Sequence, residues 1–140
     1  MSAATIWEAM QLTLGDIDGL HAVVLGEPTA THDLPCLYVA YQGFTRPLRN
    51  TPPARNLTGM SHTFVLRLVI RWQDREVAEA QLLALLDAIP DAIDDDPRFG
   101  NTITKGLGYI ESGTTGYQEI GGTMYRIVDY TLTVLEKIQR

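Results

Sequence analysis

Residues 62–72 constrain the fold most. Phe64, Leu66, Leu68, Ile70 and Trp72 fall at every second position, with Thr63, Arg67 and Arg71 between them and only Val65 and Val69 interrupting. That alternation predicts a long strand with one buried face. Residues 124–136 repeat it, with Val128, Tyr130, Leu132 and Val134 on one side and Asp129, Thr131 and Thr133 on the other. Thr-rich outer faces suit half-exposed antiparallel strands rather than the continuous apolar runs of a buried parallel sheet.

An apolar sheet face needs a cover, and two segments have helical spacing. Residues 5–14 open with the capping-box pattern Thr5-Ile6-Trp7-Glu8, carry Ile6, Met10, Thr13 and Leu14 at helical intervals, and stop at Gly15. Asp74 is placed to cap a second helix running to Ile89, with Glu76 and Glu79 near the positive end of its dipole and Pro90 just past its end. Its Leu82, Leu83, Leu85, Leu86 and Ile89 form a stripe wider than one sheet face requires, which points to a further packing partner such as another subunit.

Shorter strands are expected at residues 20–25, 37–41 and 105–112. Residues 43–59, with Pro47, Pro52, Pro53 and few apolar side chains, read as a long exposed loop. Residues 91–100 read as an irregular connection and residues 113–122 as a second polar, Gly-rich loop. The sum is one domain over residues 1–140, of α+β class: a mainly antiparallel sheet of four to five strands with two helices packed on one face. A chain of 15.5 kDa with 45% hydrophobic residues has material for one such core.

Chemical signatures are missing from this pattern. His21, His32 and His62 lack metal-ligand spacing, no HExxH or CxxC accompanies them, and the lone Cys36 begins an apolar strand, where a buried inert thiol is expected. Asp94, Asp95 and Asp96 invite a cation, yet Arg98, Phe99 and Lys105 stand where a calcium loop needs other residues, so a solvated acidic turn is the plainer reading. Gly106-Leu107-Gly108 leads into a strand and lacks the third glycine of a dinucleotide fingerprint, so its glycines are expected to permit a bulge or a close approach of two chains. No catalytic residue, metal or cofactor is expected, and the chain is not read as an enzyme. The first basic residue is Arg46 and no apolar run nears membrane-spanning length, so a soluble protein made in the cytoplasm is expected.

Charge is the outstanding feature. Residues 34–73 contain no acid but five arginines, Arg46, Arg49, Arg55, Arg67 and Arg71, which leaves −11 for the remainder of a chain whose formal charge is −6. Segregation of that kind produces complementary patches suited to head-to-tail self-association or docking on an acidic partner. The bland alternative is that three arginines solubilise a loop while two cover an outer sheet face.

The element order resembles the tail terminator (tail-completion, head-tail joining) proteins of long-tailed bacteriophages. The likeness rests on Leu34-Pro35-Cys36-Leu37-Tyr38-Val39-Ala40-Tyr41 after a short strand, a polar loop leading into the strand at 62–72, and a helix ending near Pro90. Residues 106–112, a polar hairpin tip and the closing run Tyr125-Arg126-Ile127-Val128-Asp129-Tyr130-Thr131-Leu132 complete it. The resemblance implies a structural virion protein at the tail-head junction, assembled in the host cytoplasm as a hexameric ring that caps the tail tube. Its partners would be further copies of itself, the tail tube protein and the head-tail connector or neck protein, with DNA passing through unread and no membrane involved.

By position, the 43–59 loop with Arg46, Arg49 and Arg55 and the 113–122 loop with Tyr117 and Glu119 would meet tube or neck subunits, while Arg67 and Arg71 would meet the acidic patch of the next copy. A head-completion or connector protein of the same neck region shares these features. A small-molecule-binding dimeric α+β domain would need a polar cluster on the apolar face, where only Tyr130 and Trp72 offer polar atoms.

Overall fold

The alternation at residues 62–72 folds as the C-terminal part of a longer strand that ends at Arg71. The structure, a computed structural model, describes residues 3–26, 34–45, 57–72, 74–100 and 106–139. In chain order these form α1 (Ala3–Gly15), β1 (Ala22–Leu25), β2 (Cys36–Thr45), β3 (Leu57–Arg71), α2 (Arg75–Leu86), α3 (Ala88–Asp95), β4 (Gly106–Ile120) and β5 (Thr123–Gln139). The strands make one sheet in the order β1-β2-β3-β5-β4, parallel between β1 and β2 and antiparallel elsewhere. The α+β class holds, with a five-stranded mixed sheet.

The even positions of β3 and β5 supply the floor of the core. Phe64, Leu66, Leu68, Ile70, Val128, Tyr130, Leu132 and Val134 are buried against Ile6, Met10 and Leu14 of α1, Leu82 and Leu85 of α2, and Ile89 and Ile93 of α3. All three helices therefore lie on one side of the sheet. Its opposite side carries a smaller apolar cluster of Cys36, Tyr38, Val69 and Ile127.

Several boundaries move, each for a physical reason. Helix α1 begins at Ala3, so Thr5 is a residue of its first turn rather than its cap. Asp74 does cap α2, its carboxylate accepting from the amides of Glu76 at 3.0 Å and Val77 at 3.3 Å. The helix expected to end at Ile89 breaks at Asp87, and Pro90 falls in the first turn of α3, where its missing N–H leaves no helical bond unmade. Residues 91–95 are consequently helical rather than irregular. β3 starts at Leu57 and β2 runs to Thr45, shortening the expected 43–59 loop from both ends.

The expected 113–122 loop is instead mostly strand. β4 pairs with β5 from Gly113↔Tyr130 to Ile120↔Thr123, and Gly121 and Gly122, at φ of 59° and 82°, make the two-residue turn that matches strand twist. The close approach expected of the 106–108 glycines occurs at Gly108, where a Cβ would sit 2.9 Å from the Phe99 ring.

Candidate self-association surfaces

Arg67 and Asp129 stand opposite each other in the β3–β5 register, on the side of the sheet away from the helices. The guanidinium donates through Nε to Oδ1 at 2.6 Å and through a terminal nitrogen to Oδ2 at 2.9 Å, while its other terminal nitrogen reaches Oε1 of Gln118 on β4 at 2.9 Å. Such a bidentate fork holds three strands together. Arg67 thus faces its own chain's carboxylate, whereas Arg71, four residues along the same face, is exposed. Arg46, Arg49 and Arg55 lie outside the described residues.

Tyr117 and Glu119 lie on β4 near the hairpin turn, on the helix side, and both are exposed. Tyr117 packs edge-on against Trp72 with ring centroids 5.4 Å apart and receives the Arg126 guanidinium 4.5 Å from its ring centre. Arg126 also donates to Glu79 of α2 at 2.7 Å and to the Gly116 carbonyl at 2.9 Å. These contacts fasten α2 to the sheet edge and hold Tyr117 in place. Trp72 Nε1 is buried without a hydrogen-bond partner, whereas the Tyr130 hydroxyl donates to the Leu86 carbonyl at 2.7 Å. Burial, reinforced by the Asp87 charge, pushes the Tyr130 phenol well up.

A groove of about 780 Å³ runs between α1 and α3. Its lining includes the carboxylates of Glu8, Asp16, Asp18, Asp91, Asp95 and Asp96 beside the apolar Ala9, Leu12, Ile17, Ala88 and Ala92, and no Lys, Arg or His of the described residues lines it. Asp96 is committed to local structure, accepting from the Gly100 amide at 2.8 Å and from the Thr13 hydroxyl at 3.1 Å. The helical geometry of α3 is what builds this surface. Asp91 and Asp95, four apart, share a face with the small Ala88 and Ala92. Reading residues 91–100 as irregular hides that spacing, although the Ala88-x-x-Asp91-Ala92-x-x-Asp95 pattern is present in the sequence.

Apolar residues also remain uncovered on the helices. Leu12 is 77% exposed at the groove, and Val77 and Leu83 of α2 are 63% and 64% exposed, so the over-wide leucine stripe does turn partly away from the core.

Among the described residues, no group of three or more His, Cys, Asp or Glu side chains is arranged to hold a metal ion. Cys36 is fully buried, and burial pushes its thiol up, away from the thiolate a nucleophile needs. His62 is buried with Nδ1 2.9 Å from the Tyr41 hydroxyl. No described helix is long and apolar enough to cross a membrane.

No protein-family model and no curated protein sequence matches this chain. Among solved structures, a chain from the virion of a native gene transfer agent particle is similar at a TM-score of 0.42 and 15% identity, covering 95% of this chain and 92% of its own.

Proposed function

We propose that the chain is a structural virion protein that caps the tail tube as a hexameric ring, ending tube polymerisation and offering a joining surface to the neck. The observation that supports it most is the division of charge over one small domain. An acidic groove lies between α1 and α3, while residues 34–73 carry only positive charges in the sequence, Arg67 among them being paired with Asp129. Two unlike surfaces on one subunit favour head-to-tail contact, and a heterologous contact that closes on itself makes a ring. The exposed Leu12, Val77 and Leu83 add apolar area for such contacts. The tail assignment within that reading comes from the resemblance in element order.

In this arrangement the lumen carries DNA without gripping it, and Arg67, tied to Asp129, is not a cation free to bind phosphate. Adding the purified chain to polymerising tail tube protein tests the proposal. Elongation, followed by light scattering, stops when the chain is present; tubes that grow at an unchanged rate to an unchanged length overturn it.

A further inference from the structure

We infer that the groove between α1 and α3 is the seat for residues 46–56 of a second copy of this chain. The inference rests on the self-association proposed above and gives it a specific contact. The groove has the attributes of a peptide seat. Its lining includes small and apolar residues, Ala88 and Ala92 from α3 with Ala9 and Leu12 from α1, and Leu12 stands 77% exposed there. Six carboxylates line it, and no Lys, Arg or His of the described residues does.

The chemistry of the occupant follows from that of the groove. Residues 46–56 read Arg-Pro-Leu-Arg-Asn-Thr-Pro-Pro-Ala-Arg-Asn, with three arginines, three prolines and no acid. The arginines fall at 46, 49 and 55, all separated by multiples of three. A chain docked in the proline-favoured extended helix, with three residues per turn, puts all three guanidinium groups on one edge. Arg46 and Arg49 then stand roughly 9 Å apart at ~3.1 Å per residue. Along α1, the lining carboxylates from Glu8 to Asp16 spread over roughly 12 Å at ~1.5 Å per residue, so two guanidinium groups fit within that span. Prolines lower the ordering cost of such docking, and Leu48 supplies an apolar side chain for the apolar lining residues. Groove and segment are different surfaces, so the contact is heterologous and propagates from copy to copy.

A fluorescein-labelled peptide of residues 45–57, titrated with the full-length chain and followed by anisotropy, tests this. Saturable binding is expected, weakened about tenfold or more in the Asp91→Lys/Asp95→Lys variant and by a similar factor when salt rises from about 50 to about 300 mM. The milder Asp91→Asn/Asp95→Asn variant, checked for retained circular dichroism, weakens it in the same direction. Absence of saturable binding, or binding unchanged in both variants, overturns the inference. So does a much tighter uptake of peptide by the full-length Arg46→Glu/Arg49→Glu chain than by the wild type at chain concentrations where sedimentation shows the wild type monomeric, because each chain's own segment then fills its groove. A chain that fails these tests yet still arrests tube growth loses this contact alone and keeps the proposed function.

Discussion

Replacing Arg67 with Met separates a residue that holds its own sheet together from one that waits for a partner. The guanidinium makes contacts of 2.6 and 2.9 Å to Asp129 and 2.9 Å to Gln118, and the two charged side chains are 27% and 29% exposed. Hydrogen bonds to charged groups contribute about 1.5–3 kcal/mol when shielded, and fully exposed ion pairs about 0.2–1 kcal/mol. Exposure of just over a quarter places this pair between those limits. Arg67→Met should therefore cost about 2 kcal/mol, with a coupling energy to Asp129 of about 1.5 kcal/mol. For a chain of this length the loss corresponds to a fall in Tm of roughly 7 °C. Urea denaturation of the wild type, Arg67→Met, Asp129→Ala and the double variant yields the coupling energy directly. The exposed Arg71→Met serves as reference and should stay within about 0.5 kcal/mol of wild type. A coupling energy below about 0.5 kcal/mol, the exposed-pair range, together with lost self-association in Arg67→Met, would refute the reasoning and make Arg67 an interface residue.

Tyr130→Phe removes the 2.7 Å bond to the Leu86 carbonyl at the end of α2 and should cost about 1–2 kcal/mol by urea denaturation. Because burial raises the Tyr130 phenol above its ordinary value of 10.0, the folded chain keeps a proton that the unfolded chain releases. Wild-type stability from this group is therefore complete below about pH 10 and declines as pH rises beyond it, and that part of the decline disappears in Tyr130→Phe. Gly108→Val drives a Cβ to 2.9 Å from the ring of Phe99, itself only 2% exposed, and should destabilise by about 1–3 kcal/mol; a thermal melt unchanged from wild type would contradict the packing described. Asp74→Ala leaves the first amides of α2 uncapped and should cost about 1 kcal/mol, read as a lowered urea midpoint.

Legibility in the sequence followed burial. β3 and β5 sit inside the sheet and bury alternating runs, Phe64 to Ile70 and Val128 to Val134, so their alternation states their structure, and Asp74 announces α2 because a cap is a local interaction. β4 is an edge strand whose residues 111–115 are all exposed, so its sequence is free to be polar and Gly-rich and looks like a loop. What makes it a strand is backbone pairing with β5, which composition does not record. Pro90 is ambiguous for a different reason: the same residue ends one helix or opens the next, and only tertiary packing of Ile89 and Ile93 decides. The charge division was visible as a tally of residues, but the acidic groove needed α1 and α3 side by side. Likewise Arg67 reads as a free cation until the β3–β5 register places Asp129 opposite it.

In the proposed function, copies of this chain assemble on each other at the end of a tail tube. Electron microscopy of the purified chain mixed with tail tubes tests it most directly. A six-fold ring of added density is expected at one end of each tube, absent when the chain is omitted. Tubes with bare ends at saturating chain concentration, or chain found as a ring on head connectors and never on tubes, would contradict it.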